Sequence, residues 1–195
     1  MKKIFALPLV FLFPALIFAH TTKTQGIKQI NSYVKKLSNF VEKNPKNLEI
    51  YANISETKKP KWKKFESEKS LQKYGWNKSA YVWRQSSKIV VTNSTFTSES
   101  GDWVKYVYHF FREDGTLAKV ESQFNTFHGN FSLVKDIYFD RKGNILKKTA
   151  KYLDLTTHKP KKPTKDDILN NGDNIKDFYY KRTNKLPFIF LIARK

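Results

Sequence analysis

The chain has 195 residues, no Cys, and 37 Lys plus Arg against 17 Asp plus Glu, for a formal charge of +20. That length holds one domain of ordinary size without staples, while the lack of Cys excludes disulfides, thiolate zinc sites, Cys nucleophiles and a lipid anchor attached through Cys. The charge points to anionic partners: a lipid surface, an acidic polysaccharide or nucleic acid.

Lys2 and Lys3 precede an unbroken apolar run from Ile4 to Ala19, and polar sequence begins at His20. A basic start, an apolar core and a small exit residue form the pattern of a secretory signal peptide. Residues 1–19 are therefore expected to leave on export, and 20–195 to form one globular domain in the periplasm or outside the cell. Loss of Lys2 and Lys3 lowers the formal charge from +20 to +18. The competing reading, an uncleaved anchor, is weakened by Pro8 and Pro14 and by a run shorter than the ~20 residues a spanning helix needs. No transmembrane span is expected in the mature chain.

Ile27, Ile30, Val34, Leu37 and Val41 recur at spacings of three and four, with Tyr33 and Phe40 widening the stripe. This predicts an amphipathic helix that packs on a core and stops near Asn44, because Pro45 disfavours helical geometry in the residue before it. Leu48 to Ile54 reads as a short strand. Lys58 to Phe65 reads as a basic loop in which Trp62 is flanked by Lys59, Lys61, Lys63 and Lys64, a combination suited to an anionic membrane surface or a polyanion. Those four lysines and Trp62 are the candidate binding residues. A short helix is expected between Glu66 and Tyr74.

From Tyr81 to Leu153 the pattern turns to β, with Val, Ile, Thr and aromatics between turn clusters at Ser86-Ser87, Glu99 to Asp102, Glu113-Asp114-Gly115, His128 to Asn130 and Arg141 to Asn144. Five strands in an antiparallel meander are expected, since no helical crossover is present for a parallel sheet. At the Glu113-Asp114-Gly115 turn, a three-residue loop with Gly115 left-handed would pair Phe110 with Ala118, Tyr108 with Val120 and Val104 with Phe124. A two-residue loop would instead set the aromatics opposite Lys119, Glu121 and Gln123. The first register is preferred, with Lys105, His109, Lys119, Glu121 and Gln123 on a solvent-facing side. No internal repeat is evident. Thr156 to Asp167 reads as a basic surface loop or a linker to the C-terminal piece, Asn170 to Asp173 as a turn, and Leu186 to Ala193 as a buried terminal strand or a segment tucked into the core.

The units Phe111-Arg112-Glu113-Asp114-Gly115-Thr116-Leu117 and Tyr138 to Leu146 resemble the strand-turn-strand units of uncharacterised secreted bacterial β-meander proteins. The resemblance covers the middle third of the chain. It implies an extracytoplasmic meander and brings no activity with it.

Chemistry-bearing motifs are few. His20, His109, His128 and His158 are not spaced as metal ligands, although His20 at a new N-terminus has the groups to capture copper. Glu121 and Asp136 lie on neighbouring predicted strands, the one carboxylate pair a hydrolase reading could use. Gly-x-Ser-x-Gly, a phosphate loop and His-Glu-x-x-His are absent from the sequence. Four Asn-x-Ser/Thr acceptor patterns, at Asn53, Asn77, Asn93 and Asn130, are expected by chance in a chain rich in Asn and Ser. Tyr81, Trp83, Trp103, Tyr106, Tyr108 and Tyr138 form an aromatic group in the sheet, suited either to a core or to stacking sugars.

The sequence thus predicts an α+β fold, an N-terminal amphipathic helix packed on an antiparallel β-meander. The expected function is that of an exported, non-catalytic binding protein for an anionic or amphipathic ligand, with no cofactor and no metal. The alternatives are a carrier of lipids or other hydrophobic ligands and a cofactor-free hydrolase.

Overall fold

The structure, a computed structural model, describes residues 14–55, 57, 59–74, 78–165 and 179–192, the first nine of these by backbone alone. Residues 1–13 of the expected signal segment, 1–19, and the Asn170 to Asp173 turn lie outside the described residues. One eight-stranded antiparallel sheet dominates: β1 Leu48–Asn53, β2 Trp62–Phe65, β3 Lys78–Gln85, β4 Lys88–Thr97, β5 Trp103–Phe111, β6 Leu117–Thr126, β7 Phe131–Phe139 and β8 Ile145–Asp154. Their order in space is β2-β1-β3-β4-β5-β6-β7-β8. The segment read as a basic loop therefore contributes an edge strand. The β-rich stretch from residue 78 to 154 holds six strands rather than five, because each of the five turns expected from sequence joins two strands; at Ser86-Ser87 both residues take positive φ, 48° and 66°.

Helix α1, Pro14–Lys43, lays its apolar stripe across one face of the sheet. Ile30, Val34 and Leu37 are buried against Val90, Val91, Phe110, Ala118 and Tyr138, with Ile27, Tyr33, Phe40 and Val41 packed alongside. Each fully buried aliphatic contributes about 1.5–3 kcal/mol. The helix ends where Pro45 requires, and Asn44 Nδ2 donates to the Phe40 carbonyl at 2.8 Å, satisfying one carbonyl of the last turn. A second short helix, α2, Glu68–Gln72, starts from a Ser67 capping box and packs Leu71 on Ile50, Ala52 and Phe65 of the same face.

The opposite face carries the larger core. Tyr51, Val82, Val107, Phe111, Val120, Ile137 and Phe139 are closed over by Leu186 and Phe188. The C-terminal segment is thus tucked into the core and ends in a helical turn, Ile189–Ile192, rather than a strand. Phe188 stacks on Tyr51 with ring centroids 4.9 Å apart and touches Trp62 at 5.3 Å.

The β5–β6 register differs from the preferred expectation. The loop is the three-residue one, with Gly115 at φ +75°, but Phe110 pairs with Lys119, Tyr108 with Glu121 and Tyr106 with Gln123. Ala118 is the reason: it is an extra residue, a bulge that shifts everything beyond it by one. The sides are exchanged as a result. His109 is 0% and Lys105 2% exposed, inside the core layer, whereas Tyr108 stands on the outer side at 37%.

Ala118 is one of three such residues. Val90 bulges from β4 and Leu146 from β8 in the same way. All three bulged side chains meet α1. Each belongs to an apolar doublet placed one polar residue after a turn: Ile89-Val90, Leu117-Ala118 and Ile145-Leu146, starting at 89, 117 and 145, a constant interval of 28. The β3–β4, β5–β6 and β7–β8 hairpins are therefore three copies of one device. A strict period of two would send the second residue of each doublet away from its partner; the bulge turns it toward the helix as an additional apolar contact. This repeat carries α1 on β4, β6 and β8.

Candidate ligand-binding site

The same three hairpins build a cleft. Their turns crowd one end of the sheet, and α1 passes above them, leaving an open cavity of about 860 Å³. Ile30 and Tyr33 from α1 form its apolar wall with Ala118 and Leu146 below, and Lys23, Lys88, Arg112 and Arg141 share the rim with Glu113, Asp114 and Asp140. Gly26 also faces the cavity; a Cβ built there meets nothing within 4 Å. A helix-interior Gly is destabilising by ~0.5–1 kcal/mol relative to Ala, and here it leaves one wall without a side chain.

The rim is held rigidly. Arg112 Nη1 donates to the Leu117 carbonyl and Nη2 to the Phe139 carbonyl, both at 2.6 Å, so one guanidinium ties β5 to the strand following and to β7 at the bulged end. Burial, then the neighbouring Arg141, lowers the Arg112 pKa from its usual value. Tyr33 Oη donates to the Phe111 carbonyl at 2.8 Å and anchors α1; burial, and next Glu113, pushes its phenol up. Asp114 accepts from the Thr116 hydroxyl at 2.6 Å and amide at 2.9 Å, which draws its carboxyl down, and meets Arg141 at 3.1 Å.

The residues singled out from sequence do not converge on one another. Lys59 and Lys61 are exposed before β2. Lys63 and Lys64 are exposed on opposite faces of it: Lys63 lies 4.8 Å from the Tyr74 ring, and Lys64 pairs with Glu49 at 3.5 Å. Trp62 is turned inward against Phe188. The four lysines fringe one sheet edge, with the indole behind them.

His109, read as solvated, is buried; Thr92 Oγ1 lies 3.1 Å from its Nδ1, and the ring lies parallel to Phe111 and meets Tyr180 at a tilt, with centroids 5.9 and 5.8 Å away. His128 is exposed in its loop, 3.5 Å from Asp102. Glu121 and Asp136 are direct cross-strand partners, as their strand positions implied, and Lys119 Nζ sits against both at 2.6 and 3.4 Å. Among the described residues no cluster of three His, Cys, Asp or Glu is placed to hold a metal, and no helix is long and apolar enough to cross a membrane. Of the glycosylation patterns, Asn53 is buried and accepts from the Lys61 amide at 2.7 Å, and Asn93 is buried in β4.

The cleft residues escaped sequence reasoning because they come from four elements far apart in the chain. The 28-residue recurrence of apolar doublets was the available signal. The chain matches no family model, no curated protein and no solved structure, so any functional reading rests on its own geometry.

Proposed function

We propose that the chain is an exported, non-catalytic binding protein, and that the cleft under α1 receives an anionic amphiphile. The observation that carries this reading is the pairing of an apolar floor with a rim holding four cations, in a cavity of about 860 Å³. Small-ligand sites span about 300–1,000 Å³ with mostly apolar linings and few polar groups. An alkyl chain fits along Ile30, Ala118 and Leu146, and a negative headgroup fits near Lys23 and Lys88. The net charge, +20 for the full chain and +18 without Lys2 and Lys3, favours anionic ligands over cationic ones at long range. Such a site serves the hydrophobic-ligand carrier reading equally well; a hydrolase reading has less support, since Lys119 already engages both Glu121 and Asp136.

Gly26→Trp tests it. The indole fills the cleft without entering the packed core, and removal of a helix-interior Gly is expected to leave stability unchanged or slightly raised. Isothermal titration with lyso-phosphatidylglycerol should give saturable binding to the wild type and none to the variant. Equal binding by both proteins would remove the cleft from the account.

A second surface follows from the exposure of Lys59, Lys61, Lys63 and Lys64 along the β2 edge. Changing all four to Ser should weaken adsorption to anionic vesicles, most at low salt. Unchanged adsorption would show that the edge is only solvated.

A further inference from the structure

The sheet ends on β8, and only the far end of that strand has its outer side occupied. There the chain doubles back antiparallel, with Leu153 paired to Pro160. The Asp154 amide donates to the Lys159 carbonyl at 2.8 Å, and the Lys161 amide to the Tyr152 carbonyl at 2.9 Å. Residues 159–161 thus add a short stretch of ladder that stops at Tyr152.

Main-chain groups alternate sides along a strand, so those of Ala150 and Lys148 point outward as those of Tyr152 do. Among the described residues no hydrogen bond reaches them, since β7 holds the other side. Ala150 and Lys148 are both exposed. An open ladder of this kind is a template for one more strand, and the edge already accepts one from its own chain. At the near end Ile145, 41% exposed, offers an apolar contact.

Charge selects the strand that fits. Lys147, Lys148 and Lys151 are exposed along the open half. Lys147 and Lys151 lie opposite Tyr138 and Val134 on the face that carries α1, and Lys148 lies opposite Ile137 on the other. Asp136, across from Thr149, is the carboxylate that faces them from β7, and Lys119 already engages it at 3.4 Å. Asp140 and Asp154 are held in their own turns, accepting from Asn144 and Thr157. A second copy is the wrong occupant. The register that exchanges the groups of Lys148 and Ala150 sets Lys147 of one copy against Lys151 of the other, twice, and like charges directly opposite are destabilising. A nucleic acid or sulfated polysaccharide meets the charge, but has no N–H and C=O repeating at about 6.8 Å to match the ladder.

We infer that the open half of β8 is a docking edge for an acidic, extended segment of a partner protein, which adds as an antiparallel strand with acids against Lys151, Lys148 and Lys147.

The test uses an end-blocked, fluorescein-labelled peptide, Glu-Val-Thr-Glu-Glu-Thr-Val, titrated with the full chain at low salt and read by anisotropy. Wild type should bind it saturably. Lys147→Glu/Lys148→Glu/Lys151→Glu should weaken binding about tenfold or more, and should instead bind a probe with Lys in place of each Glu. Ala150→Pro leaves the charges alone and removes one outward N–H, at an edge position that tolerates Pro; it should weaken binding several-fold and leave retention on heparin resin unchanged. If a thermal melt shows that Ala150→Pro is unfolded, a probe N-methylated at the residue opposite Ala150 removes the same pairing from the ligand side. Gly26→Trp should bind as wild type, which separates this edge from the cleft. No binding by wild type, or binding indifferent to the loss of main-chain pairing, would overturn the inference. A wild-type dimer that Ala150→Pro dissociates would also overturn it, by giving the edge to a second copy.

Discussion

Gly115 is the point where the hairpin repeat meets the C-terminal clasp, and its replacement separates two causes of strain. Its φ is +75°, and a Cβ would stand 2.7 Å from Thr183 Oγ1. The Thr183 amide donates to the Gly115 carbonyl at 3.0 Å, and the Leu117 amide to the Lys181 carbonyl at 3.0 Å, so the two segments cannot simply part. Gly115→Ala should incur about 1–2 kcal/mol for the left-handed conformation and about 1–3 kcal/mol for overpacking. Gly101 isolates the first contribution, since its φ is +77° and a Cβ there meets nothing within 4 Å. At roughly 2–4 °C per kcal/mol for a domain of this size, Gly101→Ala should lower Tm by about 2–8 °C and Gly115→Ala by about 4–20 °C. Thr183→Ala should restore only the overpacking part in the double variant. Differential scanning calorimetry of the wild type, the three single variants and the Gly115→Ala/Thr183→Ala double variant reads this directly. Equal losses for Gly101→Ala and Gly115→Ala, or no coupling with Thr183→Ala, would refute the contact between the loop and the C-terminal segment.

Three further outcomes are expected. Arg112→Met should cost about 2–4 kcal/mol in urea unfolding, because two carbonyls lose a charged donor; an unchanged midpoint would contradict its role as a tie. Phe188→Ala, which empties a site 1% exposed, should cost about 3–5 kcal/mol and red-shift Trp62 emission. Glu49 feels a burial penalty, but the Tyr51 hydroxyl, Arg84 and Lys64 outweigh it and hold its carboxyl below its ordinary 4.5. A depressed folded pKa stabilises fully above the unfolded value and is lost as pH falls through the folded one, so Glu49→Gln should flatten the acid limb of the stability profile below about pH 4.5. Parallel acid limbs in the two proteins would contradict that coupling.

Legibility in the sequence followed the physics of each signal. The helical stripe from Ile27 to Val41 was readable because one continuous segment carries it, and it packs residue for residue as the periodicity requires. Gly115 was readable because a left-handed turn position favours Gly. The β5–β6 register was not, because alternation alone cannot see a bulge, and Ala118 is apolar on either side of the sheet. His109 and Lys105 looked like solvent residues, yet the shifted register puts them inside with Val107 and Phe111. Trp62 reads as a loop residue, since nothing local to it announces Phe188, more than a hundred residues later. The cleft was invisible for the same reason: Gly26, Ala118 and Leu146 are bland singly and meaningful only together.

The central claim, a cleft that holds an anionic amphiphile, is tested most directly by native mass spectrometry of the protein purified from its own host. The account predicts a bound species of lipid-like mass that dissociates on collisional activation and is missing from Gly26→Trp prepared identically. A wild-type protein that flies bare, or an adduct kept equally by Gly26→Trp, would contradict it.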